Sequence, residues 1–131
     1  MKPTIILLFI VGALIAGCAQ ESSDPQAPAK AIENYVTAQV NKDSEAFATT
    51  FCAAYESDAM TEFDSFGAVD ATIQDMTCEA GEITDGTATV TCTGSIDIVY
   101  DGENNRTLDL SRIPYSAVQE DGEWKMCGYA S

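Results

Sequence analysis

The segment Thr87–Tyr100 constrains the fold most, because its residues alternate strictly between small or apolar and polar side chains. One face would carry Ala88, Val90, Cys92, Gly94, Ile96, Ile98 and Tyr100. The other face would carry Thr87, Thr89, Thr91, Thr93, Ser95 and Asp97. This period of two predicts a long antiparallel strand with one buried face. Because a strand cannot bury a face alone, the rest of the chain must supply neighbouring strands and a covering layer.

The part of the chain before this strand has the period of a helix. Within 29–41, apolar residues recur at helical spacing, namely Ile32, Tyr35, Val36 and Val40. Pro28 suits the first turn of that helix. A second helix is predicted from Ser44 to about Tyr55 and a third from Asp58 to Phe66, and Gly67 then ends the helical half.

Further strands are predicted on both sides of the long one. They cover 71–79, 106–118 and 123–129, and Pro114 suggests a bulge or an edge in the second of them. Asp-Gly pairs at 85–86, 101–102 and 121–122 predict the turns between the strands. Helices followed by a β-meander indicate an α+β fold, with the helices packed on one face of a curved antiparallel sheet.

The first eighteen residues resemble the leader of a bacterial lipoprotein. Lys2 precedes an apolar run from Ile5 to Ile15, which is shorter than the roughly 20 residues that span a bilayer. The run ends in Ile15-Ala16-Gly17-Cys18, which resembles the lipobox, an aliphatic residue and two small residues before a cysteine. The resemblance implies cleavage before Cys18 and acylation of its thiol with a fatty acid such as palmitate. An ordinary signal peptide whose cleavage site precedes a cysteine is the alternative.

These features divide the chain into three parts. Residues 1–17 form the predicted signal peptide, 18–28 the acylated cysteine and a flexible linker, and 29–131 the folded domain. The linker is assigned from its polar, proline-containing composition. We expect an exported protein of the cell envelope, held by its lipid at the extracytoplasmic side of the cell membrane or the outer membrane.

Apart from Cys18, the chain contains four cysteines, Cys52, Cys78, Cys92 and Cys127. An even number in a small exported domain predicts two disulfides, and three pairings are available. Cys78 and Cys92 flank the Asp85-Gly86 turn and are one residue out of register, which a single β-bulge would correct. We therefore favour Cys78–Cys92 with Cys52–Cys127, and the other pairings stay open. A redox or metal role is disfavoured because the chain has neither a C-x-x-C motif nor a histidine.

The charge balance excludes several classes of function. Lys and Arg number 6 against 21 Asp and Glu, for a formal net charge of −15. Such a chain is a poor nucleic-acid binder, and the absence of histidine excludes Ser-His-Asp and Cys-His catalytic centres. Asp101-x-Glu103-x-Asn105 begins like a calcium-binding EF-hand loop, but Arg106 stands where glycine is required. We expect no metal and no cofactor.

Two stretches of the chain resemble the nuclear-transport-factor-2-like superfamily, also called ketosteroid-isomerase-like or cystatin-like. The opening AIENYVTAQVNKDSEAFATTF is similar to the first two helices of that superfamily, and DGEWKM near the end is similar to its closing hairpin. More narrowly, the chain resembles small exported lipoproteins of this group. The resemblance implies a cone-shaped pocket between the concave face of the sheet and the helices, lined here by Tyr35, Tyr55, Ile96, Tyr115 and Trp124. Another helix-plus-meander α+β domain is the alternative.

The resemblance implies binding more than catalysis. The inward face of the long strand carries no carboxylate, whereas isomerases of the superfamily need acids there. We therefore expect no catalytic residue and a domain that binds a small apolar ligand or an envelope protein. An isomerase- or dehydratase-like enzyme that uses Asp75 and tyrosines is the second hypothesis, and a structural or immunity-type lipoprotein is the third. Association as a homodimer stays open.

Overall fold

The computed structural model describes residues 24–131, so the predicted signal peptide, Cys18 and most of the predicted linker lie outside the described residues. Three helices come first: α1 (Ala27–Val40), α2 (Ser44–Phe47) and α3 (Glu56–Gly67). Helix α1 begins two residues before the predicted domain boundary at 29, with Pro28 in its first turn. No helix within residues 24–131 is long and apolar enough to cross a membrane.

Five antiparallel strands follow the helices. They are β1 (Asp70–Ala80), β2 (Thr87–Tyr100), β3 (Asn104–Asp109), β4 (Tyr115–Glu120) and β5 (Glu123–Tyr129). The sheet order is β1-β2-β4-β5, and β3 pairs with the second half of β2 beside β4. The α+β class with an antiparallel meander is confirmed.

The long strand β2 has the predicted bounds, and its predicted inner face is largely buried, but Tyr100 at its end is 38% exposed. Ala88, Val90 and Cys92 are buried, while the threonines between them are exposed. Helix α1 packs on this face through Ile32, which is fully buried. The helices and the inner face of the sheet thus form one core.

A β-bulge bends the pair β1–β2 opposite Gly94. Gln74 pairs with Ser95 and Thr77 pairs with Thr93, so two residues of β1 face one residue of β2. Gly94 has a φ of +94°, and a Cβ there would lie 2.5 Å from a carbonyl oxygen of β1, so only glycine fits. The bulge also turns Asp75 outward, and its side chain is exposed.

The structure contains the two disulfides of the favoured pairing. Cys78 and Cys92 are direct partners across β1 and β2, and Cys52–Cys127 joins the segment after α2 to β5. The one-residue difference in register noted from the sequence arises nearer the turn. Ala80 pairs with Val90 and Thr84 with Thr87, so three residues after β1 lie opposite two residues of β2. Such bridges are typical of an oxidising, extracytoplasmic compartment.

The predicted helix from Ser44 to Tyr55 is wrong beyond Phe47. The hydroxyls of Thr49 and Thr50 donate to carbonyls three residues back, which ends the regular helix. The chain at Phe51 then forms a parallel bridge to β5, and a 3-10 turn follows at Ala53–Tyr55. Pairing with the sheet edge, reinforced by a disulfide, thus outweighs the helical spacing of the aromatic residues.

The predicted strand 106–118 is two strands. A 3-10 turn at Leu110–Arg112 and Pro114 separate β3 from β4, because proline has no N–H to donate to a sheet. The Asp109 carboxylate caps the turn by accepting hydrogen bonds from the N–H and hydroxyl of Ser111. This interruption lets β3 and β4 pair with different halves of β2.

Candidate functional site

A cavity of about 670 Å³ lies between helices α1 and α3 and the sheet. Its apolar lining consists of Val36, Phe66, Ile96, Leu108, Leu110 and Ile113. Val36, Ile96 and Leu110 are buried and form the floor, whereas Ile113 is 54% exposed and belongs to the rim. The volume falls within the range of small-molecule pockets, roughly 300 to 1,000 Å³.

A carboxylate held by three tyrosines forms one wall of the cavity. The hydroxyls of Tyr35 and Tyr129 donate to Glu62 Oε2 at 2.7 and 3.1 Å, and the Tyr55 hydroxyl donates to Oε1. Tyr115 packs on Tyr129 with ring centroids 5.3 Å apart. Glu62 and these four tyrosines are called the Glu62–tyrosine cluster below. Its members are Tyr35 of α1, Tyr55 of the 3-10 turn at 53–55, Glu62 of α3, Tyr115 of β4 and Tyr129 of β5.

The cluster keeps its tyrosines protonated. Burial, followed by the hydrogen bond to Glu62 and its negative charge, raises the pKa of Tyr35 and Tyr55 well above the ordinary value. Burial and the charge of Glu62 raise the pKa of Tyr129 likewise, and raise the pKa of Tyr115 to about 12. Since the phenols stay neutral, they act as hydrogen-bond donors to the carboxylate.

Tyr129 reaches the cavity because of a second bulge. Tyr115 pairs with Tyr129 and Ala117 pairs with Met126, so Cys127 and Gly128 together face one residue of β4. Gly128 has a φ of +105°, which favours glycine. Without this extra residue, strict alternation from the buried Met126 would turn Tyr129 to the opposite face.

Gln39 is a buried polar side chain that faces the cavity without a protein partner. It is 5% exposed and lines the cavity from α1. Its side-chain amide makes no hydrogen bond with any of the described residues 24–131. No side-chain polar atom among the described residues is both fully buried and without a partner, so the Gln39 amide is open to the cavity and can donate to, and accept from, a molecule there.

Two arginines stand at the rim. Arg106 comes from β3, where it shares a face with Leu108, and Arg112 comes from the 3-10 turn that follows. Both are exposed, and neither forms an ion pair within the described part of the chain. Asp109 also lines the rim, and its hydrogen bonds from Ser111, aided by Arg112, lower the pKa of its carboxyl group.

Three of the five residues predicted to line the pocket do so, namely Tyr35, Ile96 and Tyr115. Tyr55 does not line the cavity, but its hydroxyl donates a hydrogen bond to Glu62, which does. Trp124 lies elsewhere, in a separate depression lined by other residues of α1, among them Asn34 and Thr37. Asp75, the acid of the enzymatic hypothesis, is exposed on the bulge.

Sequence reasoning missed Glu62, Gln39 and Tyr129. Glu62 lies beside Phe63 on a helix that was interpreted only through its apolar residues. A glycine inside a predicted strand is the one available signal for Tyr129, since Gly128 suggests a bulge that changes the face of the next residue. Gln39 is indistinguishable by sequence pattern from a solvated helix residue.

Solved structures of other proteins share this architecture. A SEC-C motif containing protein from Rhodopseudomonas palustris superposes with a TM-score of 0.54 at 10% identity, over 82% of this chain and 80% of that one. A proposed dehydratase of the nuclear-transport-factor-2-like family from Streptomyces avermitilis superposes with a TM-score of 0.54 at 11% identity, over 86% of this chain and all of that one. No protein-family model matches the sequence, and no curated protein is significantly similar to it. The similarity shows that the chain has the nuclear-transport-factor-2-like fold.

Proposed function

We propose that the protein is a lipid-anchored envelope protein whose domain binds a small, largely apolar molecule in the cavity. The anchor is supported by the lipobox-like Ile15–Cys18 and by the two disulfides, which suit an exported domain. Helix α1 begins at Ala27, nine residues after Cys18, so the domain would lie within roughly 30 Å of the membrane surface. A binding domain on so short a tether would meet molecules released from, or delivered to, the membrane.

Cys18→Ser should release the protein into the soluble fraction, because it removes the acylated thiol. The measurement is fractionation of the producing cells, with mass analysis of the mature N-terminus. Gln20→Ser is the matched control, since it alters the same segment but keeps the cysteine and should stay with the membrane. Membrane retention of the serine variant, or an unmodified Cys18 in the native protein, would refute the anchor.

The cavity, with its apolar floor and the unpartnered Gln39 amide that faces it, is the observation that carries the binding proposal. The floor at Val36, Ile96 and Leu110 is apolar, whereas the Gln39 amide has no hydrogen-bond partner among the described residues and is open to the cavity. A ligand with one hydrogen-bond donor or acceptor would pair with this amide. The apolar floor then provides affinity, and Gln39 fixes the orientation.

The cavity should bind N-phenyl-1-naphthylamine, a neutral dye whose fluorescence rises in apolar surroundings. Leu108→Trp fills the cavity from its half-buried wall and should weaken this binding about tenfold or more, because the dye and the indole compete for the same space. Val118→Trp is the control, since Val118 is half-buried on β4 but lines no part of the cavity. Equal loss in both variants, or no dye binding to the native protein, would contradict the proposal.

An isomerase- or dehydratase-like enzyme is the second candidate, and the Glu62–tyrosine cluster favours it. A carboxylate beside protonated phenols in a cavity is a general acid–base arrangement. The Glu62 carboxylate already accepts three hydrogen bonds, however, which occupy most of its lone pairs. It is therefore a poor general base for a substrate proton. Mass analysis of the molecule that co-purifies with the native and the Glu62→Gln protein distinguishes the two: loss of one water only with the native protein would indicate a dehydratase.

A further inference from the structure

The distribution of positive charge points to the chemistry of one end of the ligand. The described residues contain three lysines and two arginines, in a chain with 21 acidic residues. Lys30 pairs with Glu33 at 3.5 Å and Lys125 with Glu123 at 3.0 Å, whereas Lys42 forms no ion pair within the described residues and lies outside the cavity. Both arginines instead line one cavity and form no ion pair within residues 24–131. Two of the three unpaired cationic side chains of the described residues therefore lie together at one cavity opening.

The arginines of the cavity and its Glu62–tyrosine cluster come from separate elements. Arg106 and Arg112 come from β3 and the following turn, whereas the Glu62–tyrosine cluster is built on α1, α3, β4 and β5. The buried apolar residues of the floor, Val36, Ile96 and Leu110, are shared by the same cavity. A molecule lying on this floor would have its exposed end near the arginines. Asp109 offsets part of their charge, but Ser111 already occupies one of its carboxylate oxygens.

We propose that the ligand is an anionic amphiphile, a proposal that rests on the binding function above. Its carboxylate or phosphate would be held by Arg106 and Arg112, and its apolar body would lie on the cavity floor. Guanidinium groups bind the oxygens of either anion through paired, charge-assisted hydrogen bonds. The negative charge of Glu62 disfavours a second anionic group close to it. Gln39 and the remaining acceptor site of Glu62 suit a hydroxyl or amide within the body of the ligand.

Displacement of N-phenyl-1-naphthylamine from the full-length protein tests this assignment. Dodecanoate, dodecyl phosphate, dodecanol and dodecyltrimethylammonium share one chain and differ in the head group, and each is used below its micelle-forming concentration. We expect the two anions to displace the dye at concentrations about tenfold lower than dodecanol, and the cation to be weakest. The stronger of the two anions then distinguishes a carboxylate ligand from a phosphate ligand.

The double substitution Arg106→Gln/Arg112→Gln should abolish the tenfold preference for the anions over dodecanol. Lys42→Gln is the matched control, because Lys42 is also exposed and unpaired among the described residues but lies outside this cavity. Dye binding that persists while dodecanoate and dodecanol displace it equally would overturn the anionic assignment and leave the proposed function standing. Absence of dye binding in the native protein would overturn both the proposed function and the anionic assignment. If the cation displaced the dye more strongly than the anions, the anionic assignment would be wrong, and the carboxylate of Glu62 would be the charge that the ligand recognises.

Discussion

Replacing both Cys52 and Cys127 with alanine should lower the free energy of unfolding by about 4 kcal/mol, the larger of the two disulfide effects. The bridge closes a separation of 75 residues, and the chain entropy that it removes from the unfolded state grows with loop length. The same relation gives about 3 kcal/mol for Cys78–Cys92, which closes 14 residues. A domain of this size has roughly 5 to 15 kcal/mol of stability, so either loss is large.

Urea unfolding followed by circular dichroism measures this difference, with Cys78→Ala/Cys92→Ala as the comparison variant. Both members of a bridge are replaced, so that no free thiol is left to form a new bond. Thiol titration of the unreduced native protein accompanies it, and we expect no reactive thiol among the four cysteines of the domain. Two reactive thiols, or a smaller loss for the Cys52–Cys127 variant, would contradict the argument.

The Cys52–Cys127 bridge also connects directly to the Glu62–tyrosine cluster. Tyr55 follows Cys52 by three residues, and Tyr129 follows Cys127 by two. Both tyrosines donate to Glu62, so the bridge fixes the spacing of two of the three donors. Its removal should therefore weaken dye binding even at temperatures where the domain stays folded, whereas removal of Cys78–Cys92 should not. The position of this disulfide thus ties the stability of the fold to the shape of the cavity.

The secondary structure was predictable wherever one face of an element is uniformly apolar. Strands β2 and β5 begin and end where the alternation and the Asp-Gly turns place them, and α1 differs by two residues at its start. The prediction failed at 48–55, where the aromatic residues have helical spacing but the chain pairs with β5 instead. Pairing of that kind is a long-range contact, which local periodicity does not encode.

The cavity was predictable only in part, for a related reason. Tyr35, Ile96 and Tyr115 could be found because they lie on inward faces of regular elements. The bulges at Asp75 and Gly128 each insert one extra residue into a strand. Every residue after the bulge then points to the opposite face of the sheet from the one that strict alternation predicts. The first removes Asp75 from the inward face, and the second places Tyr129 there. The enzymatic hypothesis placed its acid on β1 at Asp75, whereas the acid that lines the cavity is Glu62 on α3, a helix that packs above the sheet.

Raising the pH above 10 should destabilise the protein steeply, since the folded state holds its tyrosines protonated. The pKa of Tyr115 is raised from 10.0 to about 12 by burial and by the charge of Glu62. Below pH 10 the phenol is neutral in both states, so its contribution to stability is fully present. Between pH 10 and 12 the unfolded chain releases the proton while the folded protein retains it, and stability is lost progressively. Tyr35, Tyr55 and Tyr129 change in the same direction.

Tyr115→Phe isolates one part of this effect, because the Tyr115 hydroxyl makes no hydrogen bond within the described residues and its ring packing is kept. The difference in unfolding free energy between pH 8 and pH 12 should be smaller in this variant by on the order of 2 kcal/mol, which corresponds to the raised pKa of one buried phenol. Urea unfolding at each pH measures the difference, and phenolate absorbance should rise together with the loss of structure. Phenolate absorbance that rises for all five tyrosines near pH 10 while the fold persists would show that Glu62 and burial do not protect them.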